Sequence, residues 1–238
     1  MAKEKQNGMK PLTLIFAFAC LLAKGQTVTL NETYFTVQFD TVYHAGVLNS
    51  YVQTKAHQKA VHATGKVDRE TIGGFLEDSL IPKRWQVANQ KLYDDYNKAH
   101  QKSKINVGHE VPYEPMAYDR KAAKRTMLFC TNTQIQYGYF NQHCWAFVEK
   151  IVLDSLGAIY DSMPVYTGVL INAKSARLGA VFIPDYFYKI AVFNGQSMAW
   201  LGANTQTNTD TNPNDILISI ADLKKAITSY YPTLKTPF

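Results

Sequence analysis

The sequence has no apolar run long enough to span a membrane, no internal repeat and few cysteines. Its longest apolar run, Leu12 to Ala23, is broken only by Thr13, and a membrane-spanning helix needs ~20 apolar residues. Beyond residue 25 two cysteines remain, Cys130 and Cys144, which could form a disulfide in an oxidising compartment or stay as buried thiols. No second domain boundary is evident, so one domain with a full core is predicted.

The N-terminal residues have the pattern of a secretory signal. Lys3, Lys5 and Lys10 precede the short apolar run, and the small residues Ala23 and Gly25 end it. An N-terminal core helix is the alternative, but no polar face recurs within the run. We therefore expect residues 1–25 to be a signal peptide and 26–238 to be the mature domain. That domain would be secreted, or periplasmic if the source is bacterial, without stable membrane association after signal removal.

The charge is modest overall and concentrated in one segment. The whole chain carries +6, and without residues 1–25, which contain four lysines and one glutamate, it carries +3. Between Lys83 and Arg125 there are ten basic and five acidic residues. A local positive field would attract a phosphate backbone, although a solvated charged surface explains the same clustering. Nothing in the sequence predicts the oligomeric state.

Hydrophobic periodicity predicts a mixture of strands and helices. Alternating or β-branched and aromatic runs favour strands at residues 35–39, 47–52, 127–130, 165–170 and 186–193. An apolar stripe from Trp145 to Leu156 predicts a helix over 141–156. Ser219 with Asp222 predicts the cap of a final helix. Residues 54–104 are interpreted as helix and loop and 206–214 as a polar loop, which together favour an α+β fold.

Three widely spaced residues could carry out phosphodiester hydrolysis. His109, expected on a loop, precedes Asn141 by 32 positions, and Glu149 follows Asn141 by eight. A histidine can take a proton from water, and Mg²⁺ accepts few protein ligands while keeping its waters. Asn141 and Glu149 would lie about 80° apart around an α-helix, on one broad face. Spacing alone also allows a satisfied histidine, a helix cap and a surface charge.

Several segments, in order, resemble the DNA/RNA non-specific endonuclease family of ββα-metal (His-Me finger) nucleases. Gly108-His109-Glu110-Val111-Pro112 is similar to the family's Gly-His-x-Ala-Pro, and Asn141-Gln142-His143-Cys144-Trp145 to its Asn-x-Gly-x-Trp. Further matches lie at 35–48, 131–136, 165–168 and 183–189. The resemblance spans most of residues 34–230.

The resemblance implies a fold, a reaction and roles for individual residues. The fold would be α+β, with a central antiparallel sheet and flanking helices. His109 would be the general base, Asn141 the direct ligand of Mg²⁺ (or of Mn²⁺ or Ca²⁺ in its place), and Glu149 would order water at the metal. Asn132 and Gln136 would brace the site. The substrate would be the DNA or RNA backbone, cleaved without sequence specificity to a 5′-phosphate and a 3′-hydroxyl.

The sequence departs from the family before His109. Asn106-Val107 replaces Asp-Arg, so Asn106 can still accept a hydrogen bond, but Val107 cannot make the arginine's contact to phosphate. A replacement cation is sought among residues close in sequence: Lys104, Arg120, Lys124 and Arg125. His143 stands where the family has a small residue, and Glu110 is expected to be solvated. A catalytically weakened, nucleic-acid-binding member is the alternative function, and a protein that keeps only the fold is a third.

Overall fold

The computed structural model describes residues 26–63, 66–207 and 212–238. The predicted signal peptide lies outside these residues. Within the described part of the chain, no helix combines the length and apolar character needed to cross a membrane. Cys130 and Cys144 both lie in the core as thiols.

Eleven strands are formed by the described residues. In chain order they are β1 Thr27–Glu32, β2 Phe35–Asp40, β3 Ala45–Thr54, β4 Ile105–His109, β5 Thr133–Tyr137, β6 Ser162–Leu170, β7 Arg177–Leu178, β8 Val181–Phe182, β9 Tyr186–Phe193, β10 Gln196–Ala203 and β11 Leu217–Ile218. Seven of them form an antiparallel sheet in the order β1-β2-β3-β6-β9-β10-β11. The pairs β4-β5 and β7-β8 stand apart.

Helices pack beside this sheet. The short ones are α1 Lys55–Ala63, α2 Gln90–Ala99, α3 Tyr113–Met116 and α4 Arg120–Arg125, with 3₁₀ turns at Arg69–Ile72, Lys83–Trp85 and Pro213–Ile216. The long helix covers residues 138–159 in five consecutive segments: Gly138–Phe140, Asn141–Trp145, Ala146–Lys150, Ile151–Leu156 and Gly157–Ile159. The C-terminal helix, Ile220–Tyr230, begins after Ser219, whose side chain accepts a hydrogen bond from the Asp222 amide as predicted.

The residues between β3 and β6 leave the main sheet and return to it. Thr54 at the end of β3 pairs with Ser162 at the start of β6. The intervening excursion, residues 55–161, contains β4, β5 and the long helix. Trp145, Val148 and Val152 of the long helix are fully buried in the main core. The apolar stripe predicted for this helix therefore fixes the excursion against the sheet.

Two π-helical segments interrupt the long helix. They lie at Asn141–Trp145 and Ile151–Leu156. In an α-helix, eight residues make about 2.2 turns. A π turn bonds residue i to i+5 and so uses more residues per turn. The eight residues from Asn141 to Glu149 therefore come closer to two whole turns, which brings the two side chains nearer to alignment than the α-helical estimate.

The structure corrects two local predictions. Residues 127–130 do not form a strand: Leu128 and Phe129 make only isolated bridges, and Cys130 has a φ of 68°. The Cys130 carbonyl accepts bonds from the Gly46 amide (2.8 Å) and the Gln134 side chain (2.7 Å), so this segment turns rather than extends. His109 is the last residue of β4 and not a loop residue.

Candidate active site

A cavity of about 1030 Å³ brings the predicted residues together. It lies between β4, α3 and one face of the long helix from Asn141 to Asp154, with α2 and the Arg69–Ile72 turn completing the wall. Asn106, His109, Asn141 and Glu149 all line it. These four positions are separated by up to 43 residues in the chain, and the β4-β5-helix path folds them onto one surface.

His109 is delivered to the cavity by the strand pair β4-β5. Gly108 precedes it, and a Cβ atom at Gly108 would overlap the Gln136 side chain, which crosses from β5. Glycine is therefore required here for close packing of the two strands. On the cavity side, the ring of Phe75 lies 5.4 Å from the His109 ring at an angle of 40°. The backbone that carries the imidazole is therefore packed closely against β5, and the Phe75 ring lies beside the imidazole.

Asn132 fixes the chain immediately after His109. Its Oδ1 accepts a bond from the Val111 amide (2.9 Å), and its Nδ2 donates to the carbonyls of Val111 (3.0 Å) and Thr126 (2.8 Å). Its carbonyl accepts a bond from the Glu110 amide (2.9 Å). A fully buried residue therefore fixes both neighbouring peptide groups, Glu110 through its main-chain carbonyl and Val111 through its side chain.

Gln136 is the second predicted bracing residue, and it is also fully buried. Neither polar atom of its amide has a hydrogen-bond partner among the described residues. Leaving a buried amide unsatisfied is costly. Gln136 therefore supports the site by filling the space beside Gly108, and not by hydrogen bonding.

His109 is kept neutral by its surroundings. Burial, together with the positive charges of Arg69 and Lys189, lowers the pKa of this histidine to about 3. Its Nε2 atom is buried and has no hydrogen-bond partner within the described ranges. An imidazole that stays unprotonated at neutral pH can accept a proton.

Lys189 connects the strand end to the long helix. This fully buried lysine of β9 donates to the Glu110 carbonyl at 3.1 Å, and its Nζ lies 3.9 Å from Oε1 of Glu149. It also lies over the Trp145 ring, 5.4 Å from the centroid. Burial lowers the pKa of Lys189 and raises that of Glu149, while attraction between the two charges opposes both shifts. Glu149 keeps 27% of its side chain exposed, and the charge of Lys189 favours its ionised form.

Glu110 is not solvated as expected. Its side chain is fully buried, and burial raises its pKa well above the ordinary value, with Gln134 and Lys189 opposing the shift. A buried carboxyl without a close countercharge remains protonated. Glu110 therefore belongs to the core behind the cavity and not to its reactive surface.

Charge in the cavity is mixed. The acidic side chains that line it are Asp68, Glu114, Glu149 and Asp154, and the basic ones, besides His109, are Lys66, Arg69 and Lys150. Two acids at the rim have partners: Lys66 lies 2.6 Å from Glu114, and His62 lies 2.7 Å from Asp154. A polyanion that enters the cavity therefore depends on the remaining basic side chains, Arg69 and Lys150, or on a bound metal cation to offset the acidic ones.

The oxygen donors of Asn141 and Glu149 fit a hard divalent cation. An amide oxygen with a carboxylate in one half-open cavity suits Mg²⁺, which takes few protein ligands and keeps several waters. Across the described ranges, no group of three or more His, Cys, Asp or Glu side chains could hold a metal.

The cavity's arginine comes from a segment that sequence inspection missed. Arg69 lines the cavity in the short turn after α1, with its guanidinium carbon 5.5 Å from the Phe75 ring centroid and 5.8 Å from that of Tyr113. The four cations proposed from the sequence do not line it. Arg120 bonds Thr71, Lys124 donates to the Ile72 carbonyl, Arg125 pairs with Glu32, and Lys104 lines a different cavity. No spacing pattern in the sequence points to Arg69.

Two antiparallel strands followed by a helix, with His109 on the first strand and Asn141 on the helix, form a ββα arrangement beside the main sheet. The predicted α+β fold is confirmed, and a solved structure shares it. The chain is similar to one in the crystal structure of the EndoG/EndoGI complex, with a TM-score of 0.68 at 18% identity over 85% of this chain and 84% of the other.

The sequence itself identifies the family. The model of the DNA/RNA non-specific endonucleases matches residues 16–233, and the chain belongs to this family. No curated protein is significantly similar in sequence.

Proposed function

We propose that this protein is a metal-dependent endonuclease that hydrolyses phosphodiester bonds of DNA and RNA without sequence specificity. One observation carries the proposal: the neutral imidazole of His109 and the donors of Asn141 and Glu149 line the same cavity. Family membership supports the class of reaction. The roles of the individual residues rest on the placement and chemistry of their side chains.

His109 acts as the general base. It takes a proton from a water molecule as that water's oxygen attacks phosphorus and the bond from phosphorus to the 3′ oxygen breaks. Burial keeps its ring unprotonated at neutral pH, so a ring nitrogen is free to accept the proton. Asn132 and Gly108 hold the histidine in place through the backbone on either side.

Asn141 would be the direct ligand of the cation, Mg²⁺ or in its place Mn²⁺ or Ca²⁺, and Glu149 would order water bound to it. When bound, the cation stabilises negative charge on the phosphoryl and leaving oxygens. Asn141 supplies a neutral oxygen and Glu149 a carboxylate that orders water, while Lys189 positions Glu149 from below. Asn106 lines the same wall and can accept a hydrogen bond, although it lacks the charge of an aspartate.

Arg69 supplies the phosphate contact that Val107 cannot make. Its guanidinium is fixed beside two aromatic rings and faces the cavity. Arginine binds phosphate through paired, charge-assisted hydrogen bonds. Contacts of this kind read the backbone and not the bases, which fits cleavage without sequence specificity.

A plasmid and an RNA of mixed sequence test the function directly. Purified protein with Mg²⁺ is expected to degrade both, and excess chelator is expected to stop the reaction. A gel shift without cleavage would support the weakened, nucleic-acid-binding alternative. If the assay shows neither binding nor cleavage, the third alternative, a protein that keeps only the fold, is supported.

Secretion is a separate proposal, supported by the basic, apolar and small-residue pattern of residues 1–25. Expression in a host with a secretory pathway, followed by mass measurement of the exported protein, tests it. A product that begins near Gln26 is expected. An uncleaved chain retained in the cells would contradict it.

A further inference from the structure

A second cavity adjoins the first at Asn106, which lines both. This lateral cavity has a volume of about 300 Å³ and lies beside the N-terminal turn of the long helix. Its wall includes Lys102, Lys104, Tyr139, Gln142 and His143. The two cavities are therefore neighbours that share Asn106 in their walls.

The lateral cavity has an exposed aromatic floor. Tyr139 is 42% exposed, and its ring lies 4.2 Å from that of His143, with 40° between the planes. An exposed tyrosine held by a second ring is a ready stacking surface, since it loses little freedom on binding.

Charge at the lateral cavity has one sign. Lys102 and Lys104 are exposed on its wall, and no carboxylate lines it among the residues that the structure describes. The Lys104 carbonyl accepts a bond from the Gly138 amide at 2.9 Å, which fixes the lysine's backbone to the start of the long helix. The active-site cavity, in contrast, has four acidic residues in its wall. Lys102 and Lys104 thus provide a consistent positive field next to a site of mixed charge.

We propose that the lateral cavity binds one unpaired nucleotide of the strand that enters the active site, with its base stacked on Tyr139 and its phosphate near Lys102 or Lys104. This inference rests on the proposed function. Aromatic rings with flanking cations bind single strands without sequence preference, because every base has a π-face. A cavity of about 300 Å³ is at the lower end of volumes that hold a small ligand and suits one nucleotide. In a duplex the bases are stacked on one another and cannot reach Tyr139.

The proposal predicts a length-dependent preference for single strands. Binding is measured by fluorescence anisotropy with Mg²⁺ present and His109→Ala as the parent, so that the labelled strand is not cleaved. Adding Tyr139→Leu should weaken binding of a 12-nucleotide single strand about tenfold. Binding of a dinucleotide, which fills only the active-site cavity, should be unchanged. Tyr139→Phe, which keeps the ring, should bind as the parent does.

Charge is tested separately. Lys104→Gln should weaken binding of the 12-nucleotide single strand several-fold, and it should lower the salt dependence of that binding. Lys235→Gln, which removes an exposed lysine of the C-terminal tail, is the matched control. The proposal is overturned if Tyr139→Leu binds the single strand within twofold of the parent. It is also overturned if this substitution weakens binding of a duplex as much as binding of the single strand.

The two hypotheses fail in different ways. Suppose that the unmodified chain does not cleave plasmid, but Tyr139→Leu still weakens binding of the single strand. The proposed nuclease function is then wrong, and the proposed nucleotide-binding site is supported. If plasmid is cleaved and Tyr139→Leu has no effect on binding, the nuclease stands and the lateral site is rejected.

Discussion

At the scale of single residues, the reactivity of the site depends on what surrounds His109. Burial and two cations keep its imidazole neutral, and backbone bonds from Asn132 fix the peptide that follows it. His109→Ala should lower the cleavage rate by about 10² to 10⁴, the usual contribution of a general base. Binding of a labelled oligonucleotide and the melting temperature should change little. His100→Ala, at an exposed histidine paired with Tyr96, is the control, and full activity of His109→Ala would contradict the assignment.

Asn141 is expected to set the response to the metal. Asn141→Ala removes a neutral oxygen donor, so the Mg²⁺ concentration for half-maximal rate should rise and the maximal rate should fall. A titration of rate against Mg²⁺ measures both. Asn141→Asp restores an oxygen ligand and should recover part of the metal response. An unchanged titration curve in Asn141→Ala would place the ligand elsewhere.

Arg69 should influence both substrate binding and the pH dependence of the reaction. Arg69→Gln removes a charge-assisted phosphate contact, so kcat/KM should fall about tenfold or more. Because the charge of Arg69 lowers the pKa of His109, its removal should raise that pKa. The base is active when unprotonated, so the acid limb of the kcat/KM profile should move to higher pH.

The control for Arg69 is Arg84→Gln, because Arg84 lies over the Trp85 ring and does not line the cavity. It should leave both the profile and kcat/KM unchanged. If Arg69→Gln lowers kcat/KM without moving the acid limb, the arginine binds substrate but does not tune the histidine.

At the scale of elements, the site depends on how closely β4 and β5 approach each other. Gly108→Ala places a methyl group against the Gln136 side chain, and overpacking of this kind costs typically 1–3 kcal/mol, of which about 2 is expected here. Activity should fall as well, because His109 follows directly. Gly74→Ala is the matched control, since nothing lies within 4 Å of the added Cβ. Urea denaturation and plasmid cleavage measure both effects, and equal stability of the two variants would contradict the packing argument.

Elements with a strong local signal could be predicted from the sequence. Two such signals depend only on residues close in sequence: the alternation at Phe35, Val37 and Phe39, and the helix cap at Ser219. Both predictions are confirmed. The stripe at Trp145 and Val148 located the long helix but not its π turns, which depend on tertiary packing. β4-β5 pairing is likewise nonlocal, so a strand residue was expected on a loop.

The candidate site was predictable only where the family motif is local. His109, Asn141 and Glu149 lie in recognisable segments, and the fold brings them to one cavity. Arg69 and Lys189 reach the same place from a short turn and from a distant strand. No spacing pattern connects either residue to His109, so only the three-dimensional structure reveals them. The burial of Glu110 was not predicted because its charge suggested solvent, whereas the bend directly after β4 places it in the core.

At the scale of the whole molecule, buried carboxyl groups should make stability depend on pH. Glu32 is fully buried beside Arg125 and Asp78, and its pKa is raised from 4.5 to about 7, mainly by burial and then by Asp78, with Arg125 opposing. The folded state therefore holds this proton more tightly than the unfolded state. Its contribution to stability is full below pH 4.5 and is lost as the pH rises to about 7.

Glu32→Gln should remove part of that pH dependence. The glutamine cannot ionise, so the fall in unfolding free energy between pH 4.5 and 7, at most about 3 kcal/mol from this group, should shrink. Glu77→Gln, at an exposed partner of Lys83, should leave the slope unchanged. Urea midpoints at pH 5 and pH 8 give the comparison, and identical slopes in wild type and Glu32→Gln would refute the prediction.

The pairing of Thr54 with Ser162 has a consequence for how the chain assembles. Those two residues meet only after the long stretch between them has been brought back on itself, and closing so large a loop carries an entropic cost before any contact repays it. The local hairpins β1-β2-β3 and β9-β10 can form early, whereas the seam between β3 and β6 must close late. Refolding should therefore be slow for a protein of this size, and the catalytic surface should be among the last regions to become ordered.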